Sequence, residues 1–136
     1  MSRHVAMSFC LNLKVRDYEC DMQGIVNNVI YQRYLEHARH EYLLSRGLSF
    51  AEMTRQGVFI VVVRAELGDR KSLQAGDEFQ VTMKAVRPTP VRLVFEQSIL
   101  LDRDAPATLR ARITCTAVND AGRPYFPAQL ADLIDG

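Results

Sequence analysis

The chain predicts an α+β fold in which a five-stranded antiparallel sheet wraps one long helix. Three observations carry this. One long stretch, residues 28–46, repeats its apolar positions at helical spacing. The other ordered stretches alternate with period two, as half-buried strands do. The last four of these are joined by short turns, which forces antiparallel pairing between neighbours. A single long helix must then cover one face of the sheet.

Residues 7–15 open the chain's first strand, with Phe9, Leu11, Leu13 and Val15 on one face. Residues 16–27 form a loop that bends at Gly24. In the helix, Tyr31, Tyr34, Leu35, Ala38, Tyr42 and Leu43 step by three, one, three, four and one, which puts them on a single stripe. Asn27 or Asn28 caps its start, and Gly47 after Arg46 stops it. The helix is about 27 Å long at its usual rise. Ser49, with Glu52 three residues on, caps one further helical turn over residues 49–56. Strands follow over residues 58–67, 78–86, 91–101 and 107–118. They are punctuated by Gly76-Asp77, by Pro88-Thr89-Pro90, by residues 102–106 and by residues 119–122. Residues 128–134 form a short helix or tail. One such layer leaves apolar strand edges and a half-covered helix, so self-association is expected.

With 136 residues, the chain is expected to be one domain over residues 1–136. Hydrophobic residues make up 48%, enough for a sizeable core. The net charge of +1 supplies no global field for nucleic acid or a membrane surface. No apolar run approaches the roughly 18 residues a membrane helix needs. Met1-Ser2-Arg3-His4 runs into a strand pattern without a signal-peptide core, so a soluble, cytoplasmic protein is expected. Cys10, Cys20 and Cys115 are far apart and odd in number, which argues against a disulfide framework and a zinc site.

Chemistry concentrates in the loop before the long helix. Asp21 precedes the helix start by six or seven residues, enough for the loop to fold back. A helix N-terminus holds unsatisfied N–H donors and about half a positive charge, a site for the oxyanion of a reacting carbonyl. On residue type alone, two readings of Asp21 stand. It caps a turn, or it attacks a carbonyl held by the Asn28 amide, directly as nucleophile or through water as general base.

The stretch Val15-Arg16-Asp17-Tyr18-Glu19-Cys20-Asp21-Met22-Gln23-Gly24-Ile25-Val26-Asn27-Asn28-Val29-Ile30-Tyr31, continuing through Tyr34, Glu36, Ala38, Arg39 and Glu41, resembles the 4-hydroxybenzoyl-CoA thioesterase family of hotdog-fold proteins. Within it, the stretch is most similar to bacterial relatives of the plant chloroplast acyl-ACP thioesterases, which include methylketone synthase thioesterases. The shared pattern is Asp-x-x-Gly-x-Val-Asn-Asn-x-x-Tyr. Leu73-Gln74-Ala75-Gly76-Asp77 resembles the family's turn before its third strand. The resemblance covers roughly residues 8–125. It implies a hotdog fold and hydrolysis of an acyl-CoA or acyl-ACP thioester, with no metal and no bound cofactor. It puts Asp21 at the catalytic aspartate and the Asn28 N–H at the donor that polarises the thioester carbonyl. Gly24, Ile25, Val26 and Asn27 would run along the acyl group. Residues 61–64 of a second copy would complete a site at a dimer interface, and relatives are often tetramers built from dimers.

Two departures from the family pattern bear on mechanism. Asn28 stands where many bacterial relatives have His, and Ile25 stands where some acyl-ACP thioesterases have one. Imidazole chemistry is therefore closed to these positions, and the carboxylate and backbone must carry it. Tyr31, nearest the site, lines the acyl pocket or packs in the core. Arg87 and Arg92 flank Pro88-Thr89-Pro90 and suit phosphate contact or a solvated hairpin. Arg70-Lys71 is a weaker candidate of the same kind. His37 and His40 share a helix face without a third metal ligand at fitting spacing, and Glu36 can pair with His40. Glu41 is a remote alternative base. Two other functions fit the same layout: a hotdog hydratase or dehydratase, which needs a His near the carboxylate, and a non-catalytic acyl-binding module.

Overall fold

The computed structural model describes residues 9–69, 71–102 and 104–134. The expected strand start at Met7, the Met1-Ser2-Arg3-His4 segment and Arg70 lie outside these residues. The first strand, β1, is Phe9–Lys14, followed by a 3-10 turn at Asp17–Glu19. The long helix, α1, is Asn28–Ser45, and a short helix, α2, is Phe50–Arg55. Then come β2 (Phe59–Asp69), β3 (Glu78–Thr89), β4 (Arg92–Leu100), β5 (Leu109–Val118) and β6 (Pro124–Tyr125), with a 3-10 segment at Ala128–Leu133.

The strands form one antiparallel sheet in the order β1-β3-β4-β5-β2, with β6 pairing only β5. The expected five strands are therefore joined by a sixth, a two-residue stub. Its pairing, Ala117 with Tyr125 and Val118 with Pro124, is too short to leave a periodic signal. The expected break at Pro88-Thr89-Pro90 also shifts. β3 continues to Thr89, and its register with β4 slips between Val86 and Thr89. Proline has no N–H for a ladder and is tolerated at such an irregularity.

All six helix positions expected on the buried stripe are buried. Leu35, Ala38 and Tyr42 are fully enclosed. They meet the inward phases of the strands: Phe79, Val81, Met83 and Ala85 of β3, Leu93, Phe95 and Ile99 of β4, and Ile113 and Cys115 of β5. Burying each large apolar side chain contributes about 2 kcal/mol. Tyr42 packs against Phe9 and Phe95, and its hydroxyl donates to Leu133 O at 2.7 Å, fastening the C-terminal 3-10 segment under the helix. This clamps α1 to the concave face and presents its N-terminus beside the loop after β1.

β2 and β1 are the two edges. On β2, Val61, Val62 and Val63 are 40%, 50% and 47% exposed, three consecutive apolar residues on an open edge. No helix among the described residues is long and apolar enough to cross a membrane.

Candidate active site

The loop carrying Asp21 is tied down at both ends. Glu19 accepts from the Arg16 amide at 2.8 Å and from the Tyr34 hydroxyl at 2.8 Å, which anchors the start of the loop to α1. Burial, reinforced by the Glu19 carboxylate, raises the Tyr34 hydroxyl well above its ordinary pKa, so it stays a donor. Cys20 bridges Val26, and Ile25 bridges Gln74. Between them the chain turns: Gly24 N donates to Asp21 O at 2.9 Å and Asp21 N to Ile25 O at 3.0 Å. Gly24 has φ +79° with open space around it, so the backbone angle and not crowding requires glycine.

Within this turn Asp21 Oδ1 accepts from Gln23 N at 2.8 Å and Ile25 N at 3.4 Å. The capping reading of Asp21 is thus physically present. Its second oxygen accepts no hydrogen bond from a described residue, and the side chain is exposed.

Asn27, not Asn28, is the helix cap. Its Oδ1 accepts from Val29 N at 3.1 Å and Ile30 N at 3.3 Å. The Asn28 N–H is left without an acceptor among the described residues. The first turn of α1 contains no acidic residue, so the positive end of the helix dipole is not neutralised there.

Leu73 fixes this arrangement in space. Its carbonyl accepts from Val26 N at 2.9 Å, and its amide donates to Tyr31 Oη at 2.9 Å. Tyr31 is 3% exposed and packs in the core. The turn before β3 forms as expected: Gly76, at φ +87°, donates to Val15 O at 3.0 Å, and Asp77 Oδ2 accepts from Gln74 N.

Past Asn28, a groove of about 390 Å³ runs between α1 and the β2 edge, lined by Val29, Leu35, Glu36, Arg39, Val62 and Ile113 among others. Its size is that of a small-molecule site. Its lining starts one residue beyond Asn28 and does not include Asp21, Gly24 or Tyr31. Arg39 and Gln97 were missed as site residues. Gln97 is 2% exposed, donates to Leu35 O at 3.0 Å, and accepts from Arg39 Nη1 at 3.0 Å. The available signal was a polar residue in the inward phase of β4, between Phe95 and Ile99. Burial lowers the Arg39 pKa and pushes the Cys115 thiol up to about 11.

A larger depression of about 1010 Å³ lies on the outer face of the sheet. Lys84 and Arg112 of its lining pair with Glu96 at 3.6 and 3.0 Å, Arg110 makes no ion pair with a described residue, and its lining includes neither Asn28 nor Asp21. The groove beside α1 is the better-placed site.

The remaining candidates disperse. Arg87 is exposed, donates to Pro90 O at 2.8 Å and lies 3.8 Å over the Phe126 ring. Arg92 is half-buried, and its side chain makes no hydrogen bond or ion pair with a described residue. His40 stacks on Phe50 at 4.8 Å rather than pairing with Glu36. No group of three potential metal ligands occurs among the described residues.

A sheet wrapped round one helix, with the helix start open beside a loop, defines the hotdog class of proteins. The crystal structure of a hypothetical protein from Aquifex aeolicus matches with TM-score 0.85 and 27% identity, over 93% of this chain and 99% of that one. That of a 1,4-dihydroxy-2-naphthoyl-CoA thioesterase from Synechocystis matches in fold, with TM-score 0.86 and 18% identity over 93% and 94%. More particularly, the chain belongs to the thioesterase-like superfamily, whose family model matches residues 15–134. It is 33% identical over 114 residues to the chloroplastic acyl-acyl carrier protein thioesterase ATL2 of Arabidopsis thaliana, covering 84% of this chain and 61% of that one. The chain therefore spans about three-fifths of that relative's length.

Proposed function

We propose that residues 1–136 form one hotdog domain that hydrolyses acyl-CoA or acyl-ACP thioesters to a free carboxylic acid and a thiol. The observation that carries the reading is the unaccepted Asn28 N–H at a capped, acid-free helix start. Such a donor stabilises negative charge that develops on a thioester oxygen in the transition state. The relatives' names supply the substrate class.

In this mechanism Asp21 acts as base toward water or as nucleophile. Its Oδ1 holds the loop, and its other oxygen is open for that work. Gly24, Ile25, Val26 and Asn27 border the acyl group, and the groove past Val29 receives its far end. Arg92, free of ion pairs, is better placed than Arg87 to meet carrier phosphate, because Arg87 is already engaged with Pro90 and Phe126. No metal or cofactor takes part.

The working form is a homodimer, assembled further into a tetramer, in the cytoplasm. Support for self-association is the exposed valine run on the β2 edge, which a second copy's strand would cover. A thiol-release assay across acyl-CoA and acyl-ACP substrates tests the activity. Ligand retention without thiol release would instead favour a binding module.

A further inference from the structure

Arg39 is a cation in the wrong company. Its guanidinium sits in the groove beside α1, and its one hydrogen bond to a described residue is to the neutral amide oxygen of Gln97. No carboxylate of a described residue forms an ion pair with it, although Glu36 lines the same groove one turn earlier. Arg39 is half-buried, and a partly desolvated charge gains from a charged partner because leaving water is costly. Every enclosed side-chain nitrogen and oxygen of the described residues has a hydrogen-bond partner. The guanidinium nitrogens that Gln97 does not engage are therefore accessible to solvent.

The position of this cation sets a length. Gln97 bonds both the Leu35 carbonyl and Arg39, so the guanidinium lies near the level of Leu35. That agrees with the tilt of helical side chains toward the N-terminus. Leu35 is seven residues beyond Asn28, roughly 10 Å along the helix axis at about 1.5 Å per residue. An acyl group whose carbonyl rests on the Asn28 amide would bring its far end to Arg39.

We propose that Arg39 is a specificity-determining residue that selects acyl groups carrying a carboxylate at their distal end. This rests on the thioesterase reading of the site and deepens it. Along the way the groove has an apolar wall of Val29, Leu35, Val62, Ala65 and Ile113, with Gln32, Arg33 and Glu36 of α1 lining it as well. Guanidinium and carboxylate match as a planar, two-hydrogen-bond pair. Arg39 makes no contact with the reacting atoms.

The test compares octanedioyl-CoA with octanoyl-CoA, which differ only in the terminal carboxylate. Wild type should show kcat/KM at least tenfold higher for octanedioyl-CoA. Arg39→Met should abolish or reverse that ratio of the two substrates, whatever the change in the absolute rates, and Arg39→Lys should restore part of it. A purely structural role would lower both substrates equally together with the melting temperature, and that result overturns the proposal. So does a wild-type preference for octanoyl-CoA, which decides the matter even if the variants do not fold. Calorimetry with free octanedioate and octanoate separates this inference from the activity itself. Absence of thiol release from every thioester would sink the hydrolase reading. Tighter binding of octanedioate, lost in Arg39→Met, would still uphold the Arg39 site, and equal binding of the two acids would reject it.

Discussion

The amide of Leu73 donates to the Tyr31 hydroxyl at 2.9 Å, although the two residues are 42 positions apart. Through its carbonyl, the same Leu73 holds Val26 of the Asp21 loop. One residue thus sets the loop and the first turn of α1 against each other. Tyr31→Phe removes the acceptor for a buried amide and should destabilise the protein by about 1–3 kcal/mol. Because the loop loses its reference point, kcat should fall more than KM rises. Denaturant unfolding together with steady-state kinetics reads both effects.

Asp21→Asn separates the two jobs of that side chain. An amide oxygen can accept from Gln23 and Ile25 as the carboxylate does. Loop and melting temperature should therefore be preserved, while loss of base or nucleophile lowers kcat by roughly 100-fold or more. Turnover equal to wild type would remove Asp21 from the mechanism and leave it as a turn cap.

Asn27 controls the charge around the open amide. Asn27→Ala deletes the cap on Val29 and Ile30 and should cost about 1 kcal/mol of stability. Asn27→Asp keeps the cap and adds a favourable interaction with the helix dipole of about 0.3–1 kcal/mol. Yet it places negative charge beside the donor meant for an oxyanion. Stability should rise while kcat falls, a divergence visible by pairing thermal melts with thiol release.

Alkaline pH should expose the buried thiol of Cys115. Burial raises its pKa from 9.0 to about 11. Below pH 9 both folded and unfolded thiols are protonated, so stability is unaffected. Between pH 9 and 11 only the unfolded thiol ionises, and stability falls by about 3 kcal/mol at about 1.4 kcal/mol per pH unit. Denaturation midpoints at pH 8, 9.5 and 11 should decline less steeply in Cys115→Ala than in wild type.

The β2 edge makes a prediction about assembly. Val63 is 47% exposed and belongs to the apolar run on the open strand. Val63→Lys should leave the fold intact and shift the protein toward monomer, measured by light scattering, because a charge blunts strand pairing between copies. Unchanged mass would place the interface elsewhere.

Local chemistry made much of this molecule readable from its residues. The apolar stripe from Tyr31 to Leu43, the asparagine cap, the bend at Gly24 and the alternation in β3, β4 and β5 each follow from interactions within a few residues. Helical and strand periods, caps and turns write such interactions into nearby positions. Tertiary structure alone decided that β1 pairs with β3, that β2 becomes an exposed edge, and that β6 exists. It also decided that Arg39 meets Gln97 across 58 positions. Those outcomes depend on which distant segments the sheet order brings together. No local pattern encodes that order, since a polar residue on an inward phase shows only that a partner is needed and not which one it will be.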